Sequence, residues 1–251
     1  MKIKISDYMN NFFNFEEKDL DFPFYNGKPQ LKSTDWIILL AALILRIAFI
    51  FGLWNYIPFT AYLNPLIIGI IELLLLFIPI AYCCRGNLGL FLRKPEKKDL
   101  KVIIICVILY YVFSIAMALI LRAVGVATAT NPIGSMNASL PLVLILVLIL
   151  LFGEELFKFS TLIMSMAVAY RFTDDRKTSM IIGIIVSCIL FGLIHLGTYQ
   201  FNVLQCLLII GIGCVIHFYP YLKTKNLTNS YITHIIIDLI VIIPVFLIGL
   251  G

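Results

Sequence analysis

Seven long apolar runs, separated by short polar segments, dominate the pattern of this chain. Each run comes close to, or exceeds, the ~20 apolar residues that a helix needs to cross the hydrocarbon core of a bilayer. The fourth run is long enough to tilt or to protrude from the bilayer. The pattern therefore predicts an all-α polytopic membrane protein with about seven transmembrane helices. The predicted spans are Trp36–Trp54, Tyr62–Cys84, Val102–Leu121, Leu140–Ala169, Met180–Leu196, Val203–Tyr219 and Tyr231–Ile248.

The composition supports the same class. The 251 residues are 61% hydrophobic and only 13% charged, whereas soluble domains are ~45–50% apolar and ~25% charged. Residues 1–35 lack a long apolar run, and Pro23 and Pro29 within them argue against one continuous helix. We therefore expect a polar cytoplasmic segment of low order at 1–35 and one helical membrane domain at 36–251.

Basic residues give the expected orientation. Of the 19 lysines and arginines, all except Arg46, Arg122 and Lys158 lie in the N-terminal segment or in the second-to-third, fourth-to-fifth and sixth-to-seventh connections. These four regions share one side of a seven-span protein, and the side rich in Lys and Arg is normally cytoplasmic. The N-terminus is then inside and the C-terminus outside. The net charge of +5 is explained without a nucleic-acid partner.

The six cysteines form no CxxC pair and show no zinc-site spacing. All lie in apolar segments or at their ends, so we expect them to be reduced and buried as small hydrophobic residues.

Ionisable residues at bilayer depth are the most informative feature of the C-terminal half. Glu154 and Glu155 lie in the fourth span, His195 in the fifth, and His234 and Asp238 in the seventh. A carboxylate at bilayer depth costs at least ~2.5 kcal/mol, so residues that persist there are functional candidates. His234 and Asp238 are four residues apart and share a helix face. These groups predict a polar cavity inside the membrane.

The same residues suit hydrolysis of a peptide bond. A buried glutamate can take a proton from water, and a histidine can orient that water. A second histidine with a carboxylate partner can stabilise an oxyanion.

Four other ionisable residues at or near span depth have simpler interpretations. Arg46 and Glu72 are expected to form a buried ion pair between the first two spans, because charges in membranes usually pair. His217 is expected at the membrane interface near the end of the sixth span. Lys158 lies four residues after Glu154 and can pair with it.

Three short motifs resemble those of the CAAX protease and bacteriocin-processing family. They are Glu154-Glu155, Phe-x-x-x-His ending at His195, and His-x-x-x-Asp from His234 to Asp238. The family comprises intramembrane proteases and includes the type II prenyl-protein CAAX endopeptidases. The resemblance covers residues 140–251. The family arginine that follows the glutamate pair would fall at position 159, which is phenylalanine here.

The resemblance implies a role for each site residue. Glu154 would be the general base, and His195 would help it to activate water. Glu155 would be a supporting carboxylate, and His234 with Asp238 would stabilise the oxyanion. A metal-free mechanism without a cofactor is favoured, and zinc is the alternative because His and Glu are zinc ligands.

The implied protein is an intramembrane endopeptidase in a prokaryotic cell membrane. Its partners would be the lipid bilayer and a peptide or protein substrate, including prenylated ones. One alternative is a non-catalytic bacteriocin-immunity or scaffold protein on the same fold, which the missing arginine favours. Another is a small proton-coupled transporter, which inverted repeats would favour. No repeat is evident in the sequence.

Helix depth is a difficulty for this site. His195 lies ~16 residues, or about 24 Å, from the cytoplasmic end of its predicted span. His234 lies only a few residues from the same side. The two can meet only if the fifth helix begins outside the bilayer or the seventh begins lower than predicted.

The orientation can be tested with reporter fusions. Fusions at Lys97, Asp175 and Lys225 should report the cytoplasm and a fusion at Asn137 the outside, because Lys and Arg residues cluster on one side. A reporter at Lys97 that reads outside would overturn the orientation.

Overall fold

The computed structural model describes residue 17 and residues 19–52, 65–135 and 138–248. Within these ranges the chain forms no strand, and seven of its helices are long and apolar enough to cross a membrane. The predicted all-α class with seven spans is confirmed. The helices are α1 (Ser33–Ile50), α2 (Pro65–Cys83), α3 (Asp99–Ala123), α4 (Leu140–Thr173), α5 (Arg176–Ile194), α6 (Gln205–Thr224) and α7 (Leu227–Ile248). The predicted end of the first span at Trp54 and start of the second at Tyr62 lie outside the described residues.

Helix α4 is the central element. It packs against α5, α2, α7 and α1, and Leu156, Phe157, Leu162 and Met166 on it are completely buried. Its 34 residues correspond to ~50 Å at 1.5 Å per residue. Because the hydrocarbon core is only ~30 Å thick, α4 extends well beyond it unless strongly tilted.

Helix α3 shows how the bundle meets lipid. Ile104, Ile108, Val112, Ile115 and Leu119 recur at spacings of three and four residues and are 49–62% exposed. This spacing produces a continuous stripe along one helix face. The stripe is apolar and faces outward, as a membrane-embedded surface requires.

A close approach of two backbones joins α5 to α6. Helix α6 begins with a π-helical segment, Gln205–Gly211, which packs against the C-terminal part of α5. A Cβ on Gly192 would lie only 2.5 Å from the carbonyl oxygen of Cys206. Glycine at position 192 therefore allows the contact that supports the end of α5, where His195 lies.

The described part of the N-terminal segment is folded onto the helices, so the expectation of low order was wrong for it. Phe22, Phe24 and Tyr25 are buried in the main core. The Asp21 carboxylate accepts from the Tyr25 hydroxyl at 3.0 Å and pairs with Arg176 at 2.8 Å. Burial of these aromatic rings offsets the entropy of ordering a proline-containing segment. Residues 1–16 and 18 lie outside the described part.

The turn between α6 and α7 lies inside the protein. Lys225, Asn226 and Leu227 are at most 3% exposed. The Leu227 N–H donates to the Phe91 carbonyl at 2.7 Å, and the Arg93 N–H donates to Asn226 Oδ1 at 2.9 Å. The segment between α2 and α3 therefore covers this turn. Lys225 was expected in a connection on the cytoplasmic side, but it is buried with its ammonium over the Phe22 ring.

This buried turn resolves the difference in depth between the two histidines. Helix α7 begins at Leu227, earlier in the chain than predicted and away from the protein surface. The α4–α5 hairpin is longer than the α6–α7 hairpin that packs beside it. His195, at the end of α5, and His234, in the first half of α7, consequently both lie beside Glu154.

The Gly192 contact can be tested with a matched pair of substitutions. Gly192→Ala should lower the free energy of unfolding by about 1–3 kcal/mol, because the new methyl group overlaps the Cys206 carbonyl. Gly197→Ala is the control, since a Cβ there meets nothing within 4 Å. Thermal unfolding in detergent measures both, and equal stability of the two variants would contradict the close contact.

Candidate functional site

Predicted site residues from two helices and one helix end line a cavity of about 510 Å³. Glu154 and Glu155 lie in the middle of α4, and His195 follows the last residue of α5. His234 lies in the first half of α7, and Asp238 lies at the middle of that helix. Glu154, His195, His234 and Asp238 line the cavity. Glu154 and His195 are the same number of residues from the α4–α5 turn, so these antiparallel helices bring them to the same depth.

Glu154 lies between two imidazoles without touching either. Its Oε1 is 3.7 Å from His195 Nε2, and its Oε2 is 3.8 Å from His234 Nε2. The His195 ring is fixed from behind, because its Nδ1 is 2.7 Å from the Phe191 carbonyl oxygen. A carbonyl only accepts, so Nδ1 carries the proton and Nε2 of a neutral His195 is an acceptor. Glu154 and His195 thus present two acceptors to the same gap.

Glu155 points away from the cavity and is completely buried. Its Oε2 accepts from the Ser230 hydroxyl at 2.6 Å, and its Oε1 lies 2.9 Å from His234 Nδ1. Oε1 also pairs with Lys158. The carboxylate connects α4 to α7 and orients the His234 ring.

The sequence spacing allows Lys158 to pair with Glu154, but the structure shows a different partner. Lys158 pairs with Glu155, three residues earlier on the same helix, and is itself completely buried. Successive helix positions differ by ~100°, so a lysine buried among α4, α5 and α6 reaches the carboxylate that faces inward. Phe159, at the position of the family arginine, stacks on Phe91 with ring centroids 4.5 Å apart. The cation beside Glu155 is thus supplied one position earlier.

His217 was expected at the membrane interface, but it lies in the protein interior. It is 2% exposed, and its ring lies 4.4 Å from the His234 ring, centroid to centroid. Its Nδ1 is 2.9 Å from Lys158 Nζ. The sequence offered only a weak signal for it, a third histidine in an apolar span. Its neighbours come from α4 and α7, which only the folded chain brings together.

Asp238 completes the cavity wall on α7. Its Oδ1 lies 4.0 Å from His234 Nε2, one helical turn earlier, and its side chain is 23% exposed. A second cavity of about 420 Å³ shares Tyr110, Asn131, Tyr199 and Asp238 with the first. Its other walls are mainly apolar side chains of α7, with Tyr111 of α3. A polar chamber therefore adjoins an apolar one.

The predicted pairing of Arg46 with Glu72 is present, with Nη2 3.8 Å from Oε2. The guanidinium also donates to the carbonyl of Gly153 at 2.6 Å, so it joins α1, α2 and α4. A Cβ at position 153 would lie 3.0 Å from Arg46 Nη1. Both charged residues line the main cavity, a location that the sequence did not indicate.

A metal ion has one candidate site among the described residues. Glu155, His217 and His234 each offer a ligand atom, and these atoms lie within 4.8 Å of one another. The Lys158 ammonium, however, already contacts the Glu155 carboxylate and His217 Nδ1. A second cation at these donors would meet its charge directly. The group therefore fits a resident zinc ion poorly.

Comparison with known families identifies one match. Residues 136–240 match the model of the type II CAAX prenyl endopeptidase Rce1-like family. Neither the curated proteins nor the solved structures contain a match. The matched region contains all three motifs and runs from just before α4 into α7, which confirms the resemblance to the CAAX protease family.

A double-mutant cycle tests the ion pair in the cavity wall. Arg46→Gln should destabilise the protein more than Glu72→Gln, because it also removes the bond to Gly153. The double variant should lose less than the two single losses together, by about 0.5 kcal/mol or more. Thermal unfolding in detergent provides the free energies.

An exposed pair provides the control for that cycle. Lys98 and Glu96 lie 3.3 Å apart and are both more than half exposed, so their coupling should be small. Strictly additive losses at Arg46 and Glu72 would show that their proximity contributes nothing to stability.

Proposed function

Because residues 136–240 carry an Rce1-like type II CAAX prenyl endopeptidase domain, we propose that this membrane protein is an intramembrane endopeptidase. It hydrolyses a peptide bond of a membrane-associated or prenylated substrate. The observation that carries the proposal is the gap between Glu154 and His195, two acceptors 3.7 Å apart in a cavity large enough for a peptide segment.

Water activation follows from this gap. A water molecule between Glu154 Oε1 and His195 Nε2 can donate one hydrogen to each, which leaves an oxygen lone pair free to attack. The nearby carboxylate can then take the proton as the new bond forms. The bond of His195 Nδ1 to the Phe191 carbonyl supports this role, because it keeps Nε2 available as an acceptor.

Hydrolysis then proceeds in two steps. The water oxygen attacks the carbonyl carbon while Glu154 takes its proton, and a tetrahedral oxyanion forms. Collapse of this intermediate breaks the C–N bond as Glu154 returns the proton to the departing amine. The resemblance to the family assigns the stabilisation of the negative charge to His234, with Asp238 beside it. His234 then has to carry a proton on Nε2 in addition to the one that Nδ1 donates to Glu155. No resident metal takes part.

Glu155 and Lys158 act by positioning the His234 ring. Glu155 holds His234 at Nδ1 and is itself held by Ser230 and Lys158. The missing family arginine is therefore no strong argument for a non-catalytic scaffold, since a cation lies beside this carboxylate.

The adjoining cavities suggest how the substrate lies. The scissile bond would occupy the polar chamber beside Glu154. An apolar side chain or lipid group of the substrate would occupy the apolar chamber between Tyr111 and Val245. The basic ends of the helices would face the cytoplasm, with the N-terminus inside.

Substitution of the proposed base is the direct test. Glu154→Gln keeps the size of the side chain and removes the base, so cleavage of a prenylated peptide by purified protein should fall by about 10²–10⁴-fold. Glu96→Gln, an exposed glutamate on the segment before α3, is the control and should cleave normally. Full activity of Glu154→Gln would refute the mechanism, and an inactive wild type would favour the scaffold alternative.

Chelators test the metal-free mechanism in the same assay. Activity should survive long incubation with a strong chelator, and the purified protein should hold no stoichiometric zinc. Loss of activity that zinc alone restores would show a metal-dependent protease instead.

A further inference from the structure

His217 is a buried histidine that the mechanism above does not use. It lies on α6, outside the three motifs, and lines the main cavity. Its ring packs against His234, and against Phe191 and Tyr110 at centroid distances of 5.6 Å. A polar ring held on so many sides has a fixed orientation.

Lys158 determines which nitrogen of His217 carries the proton. The ammonium of Lys158 has only donors, so at 2.9 Å it must donate to Nδ1 of His217. An imidazole that accepts at Nδ1 is neutral and carries its proton on Nε2. Lys158 thus fixes a tautomer in which His217 has one N–H group, at Nε2.

The direction of that N–H follows from the stacking of the two histidines. His234 Nδ1 contacts Glu155 and His217 Nδ1 contacts Lys158, and these two charged groups are themselves paired. The rings lie 4.4 Å apart and are inclined by only 30°, so their Nε2 edges turn to the same side. His234 Nε2 faces Glu154 in the cavity. Among the described residues, no hydrogen-bond partner occupies His217 Nε2.

The two histidines therefore have opposite tautomers. His234 donates from Nδ1 to the Glu155 carboxylate, so its neutral ring has only a lone pair at Nε2. An ionised Asp238 also only accepts. In this state His217 is the one ring of the pair that offers an N–H to the cavity.

We infer that His217 is an oxyanion donor, whose Nε2–H binds the carbonyl oxygen of the scissile peptide as negative charge develops on it. This inference rests on the proposed function and adds a residue to it. Because Lys158 fixes the donor before substrate binds, no reorganisation accompanies the reaction. Removal of one such donor typically lowers kcat by about 10²–10³-fold.

Two substitutions separate this role from simple support of Lys158. Asparagine has its side-chain oxygen at the same distance along the chain as Nδ1, so His217→Asn can still accept from Lys158 but has no donor at the Nε2 position. Glutamine has its amide nitrogen at the position of Nε2, so His217→Gln keeps the cavity donor and loses the acceptor for Lys158.

We expect His217→Asn to lower kcat for a prenylated peptide by at least about 10²-fold with little change in KM. His217→Gln should stay within about tenfold of wild type. An active His217→Asn together with an impaired His217→Gln would overturn the inference, because that pattern shows that only the contact with Lys158 matters. Thermal unfolding in detergent verifies that both variants are folded.

Nitrogen NMR of the wild type gives a readout that is independent of activity. The chain has only three histidines, so ¹⁵N-histidine labelling produces three imidazole patterns that single substitutions assign. His217 should be protonated at Nε2 alone. Protonation at Nδ1, or at both nitrogens, would refute the inference even if the variants do not fold.

Failure of the protease function and failure of the oxyanion role of His217 give different experimental results. A wild-type protein that cleaves nothing removes the proposed function and the oxyanion role with it. An active wild type with an equally active His217→Asn removes the oxyanion role alone and leaves the protease standing.

Discussion

The ion pair between Glu155 and Lys158 is the interaction on which the site depends. Both side chains are completely buried in the middle of α4. Removing two charges from water costs several kcal/mol for each, and mutual attraction repays this only when further hydrogen bonds satisfy both groups. Ser230 and His234 satisfy the carboxylate, and His217 accepts from the ammonium. The pair therefore determines how α6 and α7 present their histidines.

Adjacent glutamates acquire different roles because a helix turns by ~100° per residue. Glu155 faces the interior, where Ser230, His234 and Lys158 contact its carboxylate oxygens. Glu154 faces a cavity and lies more than 3.5 Å from both neighbouring imidazoles. The guanidinium of Arg46 binds the carbonyl of Gly153 immediately before them. One carboxylate is thus structural, and the other is available for chemistry.

The depth of the site comes from unequal hairpins. The α4–α5 turn is exposed, while the α6–α7 turn is buried beneath the segment that precedes α3 and beside the N-terminal aromatic residues. This arrangement covers the polar centre from the side rich in Lys and Arg. The apolar chamber adjoins the same centre between α3 and α7, so the surroundings of the site differ strongly in polarity from one side to the other.

The sequence alone determined the seven spans, because membrane spans are recognised by local length and hydrophobicity. It also identified Glu154, Glu155, His195, His234 and Asp238, since charge at bilayer depth is costly wherever it occurs. Only the tertiary structure decided which of these face the cavity.

The partner of Lys158, the burial of His217 and the early start of α7 followed from contacts between helices that are distant in the chain. Local periodicity cannot specify such contacts, because a lysine near two glutamates, or a lone histidine in an apolar span, has the same pattern whichever neighbours it meets. The packing of α4 against α5 and α7, and the contacts of Lys158 with α6, selected the neighbours of these side chains.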